Sequence, residues 1–141
     1  MTTGRMCRWM QWLAGGGLLV SAYLFWGKVT SQFFCPAGDC HAVNESPYAY
    51  IGPFPVSLLG VTYYLLLLLL LQFQRDAAGY GFRLLLHLAL AGGLAYSLFL
   101  TWIELFVLEL ICFWCVVSCA IVVLLNGLWW GFFARRTGLK S

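Results

Sequence analysis

Four stretches of this chain, 9–26, 55–73, 84–103 and 110–134, are apolar and close to the roughly 20 residues that a helix needs to cross a hydrocarbon layer. That pattern constrains the fold more than any motif does. A helix satisfies its own backbone polar groups, and open loops or sheet edges in lipid do not, so each crossing stretch has to be helical. With 62% hydrophobic and 9% charged residues, a chain of this size has too much apolar surface to hide in a soluble domain. The expectation is an all-α integral membrane protein, a single domain over 1–141 folded as a four-transmembrane-helix bundle. The leucine run 65–71 reads as lipid-facing helix. The fourth stretch is the longest and is expected to tilt or project.

Cations fix the orientation. Arg5, Arg8, Arg75, Arg83, Arg135, Arg136 and Lys140 fall on one side if all four stretches cross, and only Lys28 falls on the other. The cation-rich side is cytoplasmic. Both termini then face the cytoplasm, and the loop 27–54 and the turn 104–109 face out. Arg5 and Arg8 could instead begin a cleaved signal peptide, but no clear small-residue cleavage site follows. The tryptophans at 9, 12, 26, 102, 114, 129 and 130 suit interfacial belts, or simple helix packing. No basic run suggests nucleic-acid binding.

The outer loop has two parts. Cys35-Pro-Ala-Gly-Asp-Cys40 is expected to form a tight turn held by its ends. Ser46 and Pro47 suit the N-cap and first position of a short helix. The loop and this half-helix are expected to lie on the membrane as an extracytoplasmic lid. Gly52-Pro-Phe-Pro55 breaks the chain before the second span.

The six cysteines carry the chemistry. Cys35 and Cys40 lie in the outer loop, and Cys112 and Cys115 lie at the head of the last span. Both pairs are therefore expected on the oxidising face, where disulfides persist. Two residues three apart on a helix share a face, about 4.5 Å apart along the axis. A helix N-terminus and a Cys-x-x-Cys spacing favour thiolate, the species that attacks a disulfide. Glu109, one turn earlier, opposes thiolate formation unless it caps the helix and points to water. Exchange needs an attacking, an electrophilic and a leaving sulfur, and the two pairs supply them. Cys7 is expected to be an inert cytoplasmic thiol. Cys119 is expected to pack, or to line a pocket.

Each motif also has a plainer use. The loop pair alone is a structural disulfide, and the chain could be a structural membrane subunit. Cys35, Cys40, His41, Cys112 and Cys115 could instead build a soft-metal site, making the chain a metal-binding carrier. His41 reads as a solvated loop residue and His87 as hydrogen-bonded or snorkelling. Glu104 and Glu109 invite a proton-relay reading, but near an interface solvated caps are expected.

From Leu18 to Cys119 the chain resembles the vitamin K epoxide reductase family, specifically small bacterial members without a fused thioredoxin-like domain. The residues that carry the resemblance are 18–24, Cys35, Cys40, Ser46-Pro-Tyr-Ala49, Pro55-Val-Ser-Leu-Leu-Gly60, Glu104-Leu-Phe-Val107 and Cys112-Phe-Trp-Cys115. The resemblance implies a four-helix bundle around a quinone pocket near the outer leaflet. It implies that Cys115 is nearest the quinone, with Cys112 as its partner, and that Cys40 exchanges with Cys112. Cys35 would receive electrons from a soluble extracytoplasmic thioredoxin-like protein. Ser46 matches a Ser or Thr that lies near the quinone, which would be menaquinone, ubiquinone or a vitamin K-like compound. Val56 stands where animal members have an Asn, and Cys119 where they have a Tyr. Those two contact vitamin K oxygens there, so the resemblance implies quinone reduction more than epoxide reduction, with the ring held mainly by stacking and apolar contact.

Overall fold

A computed structural model describes residues 3–30, 32, 34–36, 38–76 and 79–138. Lys140 and the side chains of His41, Arg75 and Arg136 lie outside the described residues. Helix α1 spans Thr3–Thr30, and the short α2 spans Cys40–Glu45. A single 3-10 turn, Pro47–Ala49, leads into a two-stranded hairpin of β1 (Tyr50–Ile51) and β2 (Phe54–Pro55). The register is Tyr50 opposite Pro55 and Ile51 opposite Phe54, and Gly52 supplies the positive φ of the connection. Helices α3 (Val56–Asp76), α4 (Tyr80–Trp102) and α5 (Phe113–Gly138) follow, and α4 runs on into a π-helical turn, Ile103–Val107.

Among the described residues, three segments are long and apolar enough to cross a membrane: Val56–Gln74, Tyr80–Val107 and Phe113–Arg135. α1 is 28 residues long but is the least apolar of the four long helices. It packs mainly against α3 and α5.

Side-chain contacts show that neighbours run antiparallel. Gln11 of α1 bonds Gln72 of α3, and Ser21 of α1 meets Gly60 of α3. Asn126 of α5 donates to the Leu90 carbonyl of α4. Arg5, Arg8, Arg83 and Arg135 therefore gather at one end of the bundle, and the paired cysteines lie at the other.

In lipid, apolar burial does not drive helices together. Close backbone approach and interhelical hydrogen bonds do. The Tyr64 ring lies against Gly17, where any side chain would collide with it, and its hydroxyl bonds Ser118 Oγ at 2.8 Å. Tyr63 lies against Gly93 in the same way and donates to the Ala89 carbonyl. Gly17 of the run 15–17 thus serves packing, and α1 passes through the run unbroken.

Because Tyr64 is pinned at its hydroxyl, Gly17→Leu forces α1 away from α3. Overpacking of this kind costs about 1–3 kcal/mol, more than the ~1 kcal/mol that leaving glycine returns in helix propensity. The expected result is a lower thermal midpoint in detergent. Gly15→Ala, whose added Cβ meets nothing within 4 Å, is the control and keeps or raises its midpoint.

The leucine run is not uniformly lipid-facing. Leu67, Leu70 and Leu71 are buried in the core with Met6, Met10, Leu86, Leu90 and Leu125, whereas Leu65, Leu66 and Leu69 are exposed. An all-leucine run has no polar face to reveal which stripe packs, so only the helical period, set by neighbouring helices, sorts it. Trp129 also departs from the interfacial belt. It is buried against His87, to whose ring its indole N–H points. His87 Nδ1 bonds the Arg83 carbonyl, as expected of a satisfied histidine.

Candidate functional site: two cysteine pairs and a cavity

The last helix starts later than its apolar pattern suggests. Glu109 takes φ 53°, a left-handed conformation that ends the preceding π turn. Leu108 N–H returns to the Ile103 carbonyl at 2.9 Å, and Leu110 N–H to that of Glu104 at 3.0 Å. Cys112 then sits just outside α5 rather than within it, so the two cysteines are not successive residues on one helix face. Cys112 occupies the cap position. Its carbonyl accepts from Val116 N–H at 3.0 Å, and its sulfur accepts from Cys115 N–H at 3.4 Å. This is the bond that a Ser or Asp oxygen makes at an N-cap, here given to sulfur. The adjacent Cys115 thiol, bonded to the same sulfur, holds the Cys112 thiol below the usual cysteine range. Glu109 is exposed, and the capping group is Cys112.

The loop pair is joined as a disulfide, with Cα atoms 5.9 Å apart. Its turn docks onto the head of α5. Asp39 N–H donates to the Ile111 carbonyl at 2.7 Å, and Gly38 pairs with Cys112 in an isolated antiparallel bridge. Gly38 has φ +82°, and a Cβ there would run into the Ile111 carbonyl. Asp39 also caps α2, accepting Ala42 N–H at 3.0 Å. The cap places Cys40 at the start of that helix. Asn44, one turn on, donates to the Cys40 carbonyl at 2.8 Å and toward Cys112 Sγ at 3.7 Å. Cys40 and Cys112 thus share one small buried cluster with Leu24 and Val43, with Cys35 and Cys115 packed against it. Trp114 steadies the approach by donating to the Phe34 carbonyl at 2.7 Å.

On the other side of Cys115 lies a cavity of about 460 Å³ between α1, α3, α4 and α5. Cys115, Cys119 and Val56 all line it. Ser46 does not. Its hydroxyl turns back to the Val43 carbonyl at 2.7 Å, so it neither caps the Pro47–Ala49 turn by its side chain nor reaches the cavity. The 3-10 turn after it is too short to need a side-chain cap, and the free hydroxyl bonds the end of α2 instead.

The polar wall of the cavity was not foreseen. Ser57 Oγ is buried and has no hydrogen-bond partner among the described residues. Glu104 is also buried, at 7% exposure, and is not a solvated cap. Its Oε2 accepts Cys112 N–H at 3.4 Å, and its carboxyl bonds the Cys115 side chain. The π turn draws it inward, and no apolar periodicity announces a π turn. The signal that could have found it is a carboxylate at membrane depth eight residues before a cysteine pair. Cys7 is buried in the core at the far end of the bundle.

The profile of the vitamin K epoxide reductase family matches residues 8–130. The chain belongs to this family. Its membership makes it an oxidoreductase of the membrane that works on thiols and disulfides. No curated protein matches the chain. Both cysteine pairs and the whole cavity wall fall inside the matched family segment.

Proposed function

We propose that the protein is a membrane thiol:quinone oxidoreductase that forms disulfides in a soluble, extracytoplasmic thioredoxin-like partner. All four long helices cross, the arginine-rich end is cytoplasmic, and the lid-bearing cysteine end faces out. The observation that carries the reading is the position of Cys112–Cys115. Cys112 shares a buried cluster with Cys40, and Cys115 lines a cavity. The pair is in contact with a second dithiol on one side and with space for an acceptor on the other.

The cavity suits a quinone headgroup. Its volume falls in the range of small-molecule sites. Its walls are largely apolar, and the orphan Ser57 hydroxyl offers a donor for a ring carbonyl. Leu59, Leu66 and Leu88 line it and are also exposed on the lipid-facing surface of α3 and α4. A prenyl tail can therefore leave sideways into lipid. A quinone bound there takes up two electrons and two protons. Val56 and Cys119 offer no strong donor, which favours a quinone over an epoxide. Menaquinone, ubiquinone and vitamin K-like rings share the required chemistry.

The relay uses ordinary exchange steps. The partner's dithiol reduces Cys35–Cys40 through Cys35. Cys40 thiolate attacks Cys112 in the Cys112–Cys115 disulfide, and Cys115 leaves. Cys35 then attacks Cys40, their disulfide closes, and Cys112 leaves as a thiolate. The cap bond to its sulfur makes it a good leaving group. Two electrons now reside on Cys112 and Cys115, beside the cavity.

Anaerobic mixing of the reduced protein with a soluble quinone analogue is expected to give one quinol per Cys112–Cys115 pair oxidised. In Ser57→Ala, the quinone concentration for half-maximal rate is expected to rise about 3- to 10-fold, the worth of one hydrogen bond. The fold is undisturbed, because the deleted hydroxyl bonds nothing. Absence of quinol with wild-type protein would remove the reading. Unchanged half-saturation in Ser57→Ala would remove only the place of Ser57.

A further inference from the structure

The electron route leaves the buried carboxyl of Glu104 unused. Glu104 lies on the cavity wall, and its carboxyl bonds both the Cys112 amide and the Cys115 side chain. A carboxylate at this depth costs free energy unless it is paired or has work to do. No ion pair compensates it among the described residues. Lys28, at the same end of the bundle, is instead held by the Asn44 carbonyl at 2.7 Å and lies over the Tyr50 ring. The other titratable groups on the cavity wall are Tyr63 and Tyr64 from α3, Tyr96 from α4, and Cys115 and Cys119 from α5. Cys112 adjoins them, and α1 and α2 contribute Ser21, Leu24 and Asn44, none of which titrates. Glu104 is thus the acid–base group in contact with Cys115 and open to the cavity.

We propose that Glu104 carries the Cys115 proton, taking it from the thiol and delivering it to an oxygen of the quinone. The proposal rests on the thiol:quinone reading and extends it to the protons. Cys112 is already a hydrogen-bonded cap, with its sulfur accepting from Cys115 N–H, so Cys115 is the thiol whose S–H bond must break as electrons depart. The balance closes. The Cys115 S–H bond breaks, the Cys112 thiolate left by the exchange joins Cys115 in one S–S bond, and two electrons and two protons reach the quinone. Glu104 moves the proton from Cys115. The second proton, released to outer water when the partner's thiols react as thiolates, returns from water to the second oxygen. No further oxidant or reductant enters.

Glu104→Gln keeps the shape and an oxygen for the Cys112 amide, but it cannot carry a proton. General acid–base groups contribute about 10²–10⁴ in rate. In single-turnover mixing of the reduced protein with a quinone analogue, Glu104→Gln is expected to be at least about 100-fold slower at neutral pH. Half-saturation should stay unchanged, raising the pH should recover part of the rate, and Glu104→Asp should keep a measurable share of it. A second readout needs no quinone. Infrared difference spectra between dithiothreitol-reduced and oxidised protein are expected to show a carboxyl band that disappears in Glu104→Gln. A Gln variant at wild-type rate across the pH range, or a spectrum with no carboxyl change on reduction, overturns the proposal. Cys115→Ser separates the two ideas: if it still makes quinol, Cys115 is not the terminal donor and the relay order falls together with the proton carrier, and if it is dead while Glu104→Gln is normal, only the proton carrier falls.

Discussion

Cys115→Ser is expected to stop quinol formation, with a loss of at least about a thousandfold and a thermal midpoint close to that of the parent. The size follows from what is removed. The proposed transfer ends on the sulfur that lines the cavity, and an alcohol at that place neither forms the disulfide nor yields two electrons. Loss of a sole nucleophile commonly costs more than three orders of magnitude. The small structural effect follows from the backbone. The cap bond to Cys112 comes from the Cys115 amide and not from its side chain, and Ser differs from Cys by one atom. The disulfide Cys35–Cys40 still forms. Cys7→Ser is the matched control: it lies in the core at the far end of the bundle, has no place in the relay or the cavity wall, and is expected to keep its turnover. Quinol formation by Cys115→Ser above a tenth of the parent rate would exclude Cys115 as the terminal donor.

The sequence showed the helices and the cysteine pairs because both are written in local pattern. Apolar stretches of bilayer length located α3, α4 and α5 to within a few residues, and charge placement put the arginines at one end. What escaped was decided across the chain. The start of α5 moved from 110 to 113 because a left-handed Glu109 and a π turn intervene, and neither changes the hydropathy. Glu104 looked like a water-facing cap because its depth, not its identity, decides its role. Ser57 sits inside a motif valued for its neighbours, and no local pattern shows that its hydroxyl is buried without a partner among the described residues. Resemblance implies that Ser46 lies near a quinone; its hydroxyl bonds the Val43 carbonyl, and it is not among the residues that line the cavity. The cavity itself has no sequence signature, since it is what four helices leave between them.

Gly38→Ala carries the second large effect, and it separates docking from chemistry. At φ +82° an L side chain is strained, and its Cβ here would also enter the Ile111 carbonyl. Strain of this kind costs about 1–3 kcal/mol. Relief requires the turn to lift, which gives up the bond from Asp39 N–H to that carbonyl, worth about 0.5–1.5 kcal/mol more. At 1.4 kcal/mol per decade, a loss of tenfold or more is expected in quinol formation driven by a dithiol protein partner, because Cys40 no longer rests beside Cys112. Dithiothreitol is small enough to reduce Cys112–Cys115 directly. With that donor the rate is expected to be unchanged or higher, since lifting the turn uncovers Cys112, which is fully buried beneath it. The opposite signs matter, because a variant that merely misfolds loses both rates together. Equal loss with both donors, or no loss with the protein donor, would show that the Gly38 bridge is not what brings the two pairs into exchange.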